Sequence, residues 1–418
     1  MPLKKIRRLI ASDTSKDSLM SVSGQGIAAI AGFVFTAIAT NVVSLQEFGY
    51  FSLALATATI VKDMVDPALN AALVKFVPLS RGSAEQITRY VIKIKVAYFG
   101  IVLGFGFLFA GVLSEVIFKV EWQFLLIMTL ATAATLSTGS LISGFLQAHK
   151  EFFLDSVFVA LQPLLRLVLL GVAIWFGYMG VIELLVVNAV AYLIVIGLFA
   201  SRITYEFVSG EVTSTSKNSA NTFIRPLTLS TITGTLIDRV GLYITNYLLG
   251  PAAVGVLAVI MRLFIPAQQI AGVLQSVFGT RFASFTNDLQ AKIYLKKGLL
   301  VILPIALVAI GTIPFAGIIL RVFGEQYGVG AWALRLITLG FVAFLFQVPF
   351  IGKILYYKSR ADILVKISFI QLILVVIFEW VLIQVFGLNG AAGAITITMI
   401  TISGLYMFAA QKATKREA

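Results

Sequence analysis

The sequence predicts an all-α integral membrane protein: twelve transmembrane helices in two pseudo-twofold-related six-helix bundles around a central cavity. Three observations lead there. Of 418 residues, 59% are hydrophobic and only 12% charged, with mean hydropathy +0.98, whereas a soluble chain carries roughly a quarter charged residues. The apolar residues form long uniform segments, too long and even for the alternating strands of a barrel. Helices are then the way to satisfy the backbone in lipid. Finally, short patterns in the first half recur in the second.

The apolar segments run near 19–43, 48–66, 90–114, 123–147, 153–177, 181–201, 224–249, 252–278, 298–320, 331–356, 364–386 and 389–410. Each approaches or exceeds the roughly 20 residues that cross a bilayer. Orientation follows from the basic residues, which favour cytoplasmic loops. With residues in the end turns of a span counted with the adjoining loop, a cytoplasmic amino terminus puts 25 of the 32 Lys and Arg on that side. Two, Lys119 and Arg321, fall on external loops, and five lie deeper in spans. Trp122, Trp175, Trp332 and Trp380 all fall toward external span ends, where indoles favour the interface. Both termini are therefore expected in the cytoplasm, with the chain in the cell inner membrane.

Composition excludes several classes. The net charge of +13 arises from short bursts between apolar segments, as in membrane anchoring and unlike a nucleic-acid surface. There is no cysteine, hence no disulfide or thiolate metal site, and no metal is expected. The opening "MPLKKIRRLIASDTSKDS" lacks the apolar core and cleavage site of a signal peptide and reads as a retained cytoplasmic leader.

Transporters often carry internal repeats. "TNVVSLQEFGYFSLALA" at 40–56 resembles "TNYLLGPAAVGVLAVIM" at 245–261, "WFGYMGV" at 175–181 resembles "VFGLNGA" at 385–391, and "LQAHKEF" at 146–152 answers "LYYKSRA" at 355–361. Offsets of 205 to 210 in the same order divide the chain six plus six. An even number of spans gives both halves one orientation, with the pseudo-twofold axis along the membrane normal. The expected domains are an N-terminal bundle, 1–205, a polar cytoplasmic linker, 206–222, and a C-terminal bundle, 223–418.

Several charges lie far from any span end. In the seventh span Thr228, Thr231, Thr235, Asp238 and Thr245 share one helical face, with Arg239 beside it. Asp238 and Arg239 are roughly 15 Å from either end of the span at 1.5 Å per residue, too deep for snorkelling alone. A charge at that depth costs at least about 2.5–3.5 kcal/mol and usually faces a bundle interior or wet cavity. Lys62, Asp63 and Asp66 lie in the second span, Arg166 in the fifth and Arg262 in the eighth. Glu379, nearer an outer end, reads as a snorkelling residue. A single pair such as Lys62 with Asp63 serves equally as a structural ion pair, but four deep cations on four spans favour a functional role for the set.

"LQEFGYFSLALATATIVKDMVDPALNAALVKFVP" at 45–78 and "IDRVGLYITNYLLGPAAVGVLAVIMRL" at 237–263 resemble signatures of the polysaccharide transporters, including Wzx-type O-antigen flippases, within the multidrug/oligosaccharidyl-lipid/polysaccharide flippase superfamily. The resemblance implies a flippase, not an enzyme, that carries a polyprenyl-diphosphate-linked oligosaccharide to the outer leaflet by alternating access. It implies a polysaccharide polymerase as protein partner. By position, Asp238 corresponds to the family's seventh-span acid, and Asp63 or Asp66 to its second-span acid. These three would bind a coupling proton or sodium ion, or orient the arginines. Lys62, Arg166, Arg239 and Arg262 are the expected substrate-binding cations, chosen from depth. Two alternatives stand beside this: an ion-coupled drug exporter of the same superfamily, and a membrane-embedded polymerase or glycosyltransferase. The first calls for an acid-dominated cavity. The second calls for a sizeable catalytic region, and the longest internal linker is only about 20 residues.

Overall fold

The computed structural model describes residues 13–66, 69–78, 84–202 and 214–412. The described residues are helical throughout, apart from short turns, and contain no strand. Ten segments are long and apolar enough to cross a membrane, so the chain is a multi-pass membrane protein. The last of them, Ala361–Lys412, breaks at Gly387, whose φ of 57° is non-helical, and so supplies two spans. The helix Ser214–Leu249 is absent from the ten because its threonines, Asp238 and Arg239 make it polar. Counting it and the divided helix gives the expected twelve.

The described helices fall into two compact units. The first comprises 1–43 and 51–235, the second 44–50 and 236–418. In the first lie α1 (Asp13–Val42), all but the first turns of α2 (Leu45–Val65), α3 (Leu69–Phe76), α4 (Ala84–Leu108), α5 (Ala110–Phe118), α6 (Gln123–Ala148), α7 (Phe152–Trp175) and α8 (Val181–Phe199). Helix α9 (Ser214–Leu249) contributes its first part to this unit and the rest to the second, with the boundary after Thr235. The second unit continues with α10 (Pro251–Leu263), α11 (Ile265–Ala283), α12 (Asp288–Gly311), α13 (Ala316–Arg321), α14 (Ala331–Gly352) and α15 (Ala361–Lys412).

Within the expected linker, 206–222, residues Ser214–Thr222 are helical and form the first turns of α9. Packing supplies what periodicity lacks: Ala220 is buried, the Tyr90 hydroxyl donates to Asn221 Oδ1 at 2.8 Å, and Phe223 packs edge-on against Phe76. Residues 206–213 and the leader 1–12 lie outside the described residues.

Close helix contacts form the core of each unit. In the first, α1 runs along α7, and a Cβ at Gly24 would lie 2.7 Å from the Ser156 carbonyl oxygen. In the second, α14 and α15 share the most extensive contact, and a Cβ at Gly340 would lie 2.8 Å from Thr396 Cα. Small residues at such crossings let backbones approach, which matters in lipid because tails are as apolar as Leu. Many threonine hydroxyls, including Thr36, Thr40, Thr228 and Thr231, donate to the carbonyl four residues back. That back-bonding lets a polar side chain sit in a membrane helix with its hydrogen satisfied.

Candidate functional site

Two cavities of opposite charge character carry the candidate chemistry, one within each unit. The first, about 390 Å³, is lined by Lys62, Ser140, Ser143, Gln162, Arg166 and Tyr192, from α2, α6, α7 and α8. Pro163 inside α7 removes a backbone donor next to Gln162 and also lines this space. Arg166, one turn on, holds its guanidinium 4.0 Å above the Phe35 ring and donates from Nη1 to Asn188 Oδ1 at 3.2 Å. Gly32 of α1 lies beside it: a Cβ there would make an ordinary contact with Nη2, at 3.7 Å.

The donors around Arg166 outnumber their acceptors. Arg166 Nε, Gln162 Nε2 and Asn188 Nδ2 are buried and have no hydrogen-bond partner. Buried polar groups in folded proteins are nearly always paired, so unpaired ones call for an explanation. Three of them, all donors, around one guanidinium suit a ligand rich in anionic oxygen. Lys62, which also lines the cavity, pairs with Asp63, whose Oδ2 accepts from Thr235 of α9 at 2.6 Å.

Asp66 does not join this cavity. At 3% exposure it pairs with Lys95 of α4 at 2.9 Å and accepts from Ser137 at 3.0 Å. Lys95 is 6% exposed and also donates to the Ser137 carbonyl. This cluster ties α2, α4 and α6 together, with Asp66 Oδ2 left without a hydrogen-bond partner. Nothing in the spacing of the sequence marks Lys95 as Asp66's partner, since the two are brought together only by packing.

The second cavity is smaller, about 70 Å³, and acidic, lined by Asp238, Gln268, Gln371, Glu379 and Thr398 among others. Glu379 corrects the sequence expectation. It is 1% exposed and turns inward, because Gly241 has no side chain to occupy the space its carboxylate fills. Glu379 Oε2 and Thr398 Oγ1 are buried without a hydrogen-bond partner. The signal for this site was present in sequence: Gln371, Val375 and Glu379 repeat every four residues and so share a face.

The remaining expected cations are separate. Arg262 lies over the Phe48 ring at 4.8 Å, and Phe48 meets Tyr327 edge-on at 6.3 Å. Arg239 is half-buried and lines neither cavity. Of the seven residues expected at a site, Lys62 and Arg166 share one cavity, with Asp63 bonded at its edge. Asp238 lines the other, while Asp66, Arg239 and Arg262 stand apart from both.

Residues 15–278 match the model of a family described as polysaccharide biosynthesis protein. No curated protein sequence matches the chain. Among solved structures, it is similar to the lipid II flippase MurJ in an inward closed conformation, with TM-score 0.77, 13% identity, and 94% of this chain and 87% of that one covered. It is also similar to an inward-facing multidrug resistance MATE family transporter of the MOP superfamily, with TM-score 0.75, 12% identity, and 94% and 97% covered. At these identities the likeness establishes the fold.

Proposed function

The chain belongs to the polysaccharide biosynthesis protein family, and from that premise we propose that it is a lipid-linked oligosaccharide flippase. It translocates a polyprenyl-diphosphate-linked oligosaccharide from the cytoplasmic to the outer leaflet by alternating access, for polysaccharide or O-antigen biosynthesis. It resides in the inner membrane with both termini cytoplasmic and hands its cargo to a polysaccharide polymerase. The observation that carries this reading is the cavity around Arg166, where unpaired buried donors surround a fixed guanidinium. A diphosphate supplies the acceptors those donors lack, and arginine can grip it through two parallel hydrogen bonds. Ser140, Ser143 and Tyr192 offer hydroxyls to the sugars next to it. That solved structures of this fold include a lipid II flippase supports a lipid-linked cargo.

Lys62 joins the grip when diphosphate replaces Asp63 as its counter-charge. The acidic cavity supports ion coupling: Asp238, Glu379 and Thr398 offer oxygens to a proton or sodium ion, so coupling needs no cofactor. Asp63 and Asp66 instead hold lysines. The test is transport in proteoliposomes loaded with a polyprenyl-diphosphate oligosaccharide, read by access of the sugar to an external enzyme. Arg166→Ala should abolish translocation with insertion and stability intact, and full activity of that variant would reject the assignment.

The acidic cavity also favours a second reading, ion-coupled export of cationic compounds. In that case Asp238 and Glu379 would bind cargo, and Arg166→Ala would leave export unchanged.

A further inference from the structure

Ser140, Ser143, Gly144 and Gln147 of α6 follow one another at helical three- and four-residue spacings and so share one face. Both serines line the cavity around Arg166. Each is held by a residue from a neighbouring helix of the same unit, and the two arrangements are opposite in sense.

Asn70 of α3 lies across Gly144, where a Cβ would stand 3.0 Å from its amide carbon and oxygen, and donates from Nδ2 to Ser140 Oγ. Thr132 and Thr138 of α6 donate to the carbonyl four residues back. Ser140 makes no such bond, and among the described residues its hydrogen has no acceptor. A hydroxyl has one hydrogen and two lone pairs. With one lone pair turned to Asn70, Ser140 keeps its hydrogen for a ligand in the cavity.

Ser143 is the reverse. It donates to Asp155 Oδ1 at 2.5 Å, while Gln147 Nε2 bridges Ser143 Oγ at 3.3 Å and Asp155 Oδ2 at 2.9 Å. Asp155 is 3% exposed and stands in the first turn of α7, where the helix dipole favours negative charge. Its oxygens take the Ser143 hydrogen and hold Gln147 in place. Ser143 has one lone pair left, so toward the cavity it can only accept.

We propose, resting on the reading of this cavity as a lipid-linked oligosaccharide site, that Asn70 and Asp155 are positioning residues that fix how the cargo's sugar is read. Ser140 donates to a sugar oxygen and Ser143 accepts from a sugar hydroxyl. The serines are three residues apart, roughly 4.5 Å along the helix axis, so a single sugar unit reaches both. A sugar that lacks either partner leaves one of these hydroxyls unpaired, which is how polar sites discriminate.

Equilibrium binding to the purified full chain tests this, with a polyprenyl-diphosphate oligosaccharide and the sugar-free polyprenyl diphosphate as probes. The wild type should prefer the sugar-bearing probe. Ser140→Ala, Ser143→Ala and Asn70→Leu should each cut that preference about two- to tenfold, the worth of one neutral hydrogen bond. N70L/S140A should match Ser140→Ala alone, because Asn70 acts through Ser140, whereas a purely structural role would cut the preference in both backgrounds. Asp155→Asn, whose amide can donate back to Ser143, should likewise add nothing to Ser143→Ala. Should either positioning variant fail to fold, the other pair and the two serine variants decide. No preference in the wild type, a preference kept in either serine variant, or a full Asn70→Leu effect on top of Ser140→Ala would overturn the inference. If Arg166→Ala then still loses the sugar-free probe, the diphosphate reading stands without it. Undiminished binding of that probe to Arg166→Ala would overturn both.

Discussion

Gly49 and Gly255 pack reciprocally. Gly49 lies against the Pro251 backbone with no room for a Cβ, and a Cβ on Gly255 would stand 2.5 Å from the Leu45 carbonyl oxygen. Leu45 and Pro251 are separated by 206 positions, and so are Gly49 and Gly255. That is the offset of the internal repeat, so the same turn in its two copies meets itself, as in a two-fold contact. A capping box fixes one copy: Ser44 donates from N and Oγ to Glu47 at 2.9 Å, and Glu47 N donates to Ser44 Oγ at 3.2 Å. Proline at the first helical position starts the other.

Gly255→Ala should therefore destabilise the protein by about 1–3 kcal/mol, the usual range for overpacking. Gly26→Ala, where nothing lies within 4 Å of a new Cβ, serves as the control and should leave the unfolding midpoint almost unchanged. Thermal unfolding in detergent compares them. Equal midpoints would show that the reciprocal contact is slack.

For Asp66 and Lys95, the expected pattern is non-additive. Removing either charge leaves the other buried and unpaired, at a cost of about 3–5 kcal/mol. Asp66→Asn or Lys95→Met alone should lower the unfolding midpoint sharply, and D66N/K95M together should recover most of it. A double variant as unstable as the sum of the singles would contradict the closed-pair account.

The Phe35 shelf under Arg166 contributes a cation–π contact of about 0.5–2 kcal/mol. Phe35→Leu should weaken substrate binding by a few-fold to about thirtyfold, seen as a raised half-saturation in the transport assay with the maximal rate retained. An unchanged half-saturation would mean that the guanidinium is held by Asn188 alone.

Glu379→Gln keeps the volume and removes the charge. If the acidic cavity couples an ion to transport, the variant should still bind the lipid-linked sugar but lose the response of transport to an imposed proton or sodium gradient. A gradient response equal to wild type would remove Glu379 from coupling.

The fold was legible because its signals are large and local. Uniform apolar segments mark helices, and twelve spans are recovered once α15 is divided at Gly387 and the polar α9 is counted. The start of α9 was not legible, because Asn221 and Phe223 are held by partners on α4 and α3 rather than by periodicity. The candidate site was readable in part. Depth singled out Lys62, Arg166 and Asp238, all of which line cavities. It could not separate Asp66, since its neutraliser Lys95 is 29 positions away in sequence and meets it only through packing. Glu379 was misplaced for a related reason: proximity to a span end suggested an outward side chain, but the space left by Gly241 draws it inward.

The central claim is that the Lys62 and Arg166 cavity grips a diphosphate. Equilibrium binding of a polyprenyl-diphosphate oligosaccharide to the purified wild type and to K62M/R166M tests it most directly, with the monophosphate analogue as comparison. The account predicts preference for the diphosphate in the wild type, with affinity and preference both lost in the double variant. Equal affinity of the two proteins for the diphosphate ligand would contradict it.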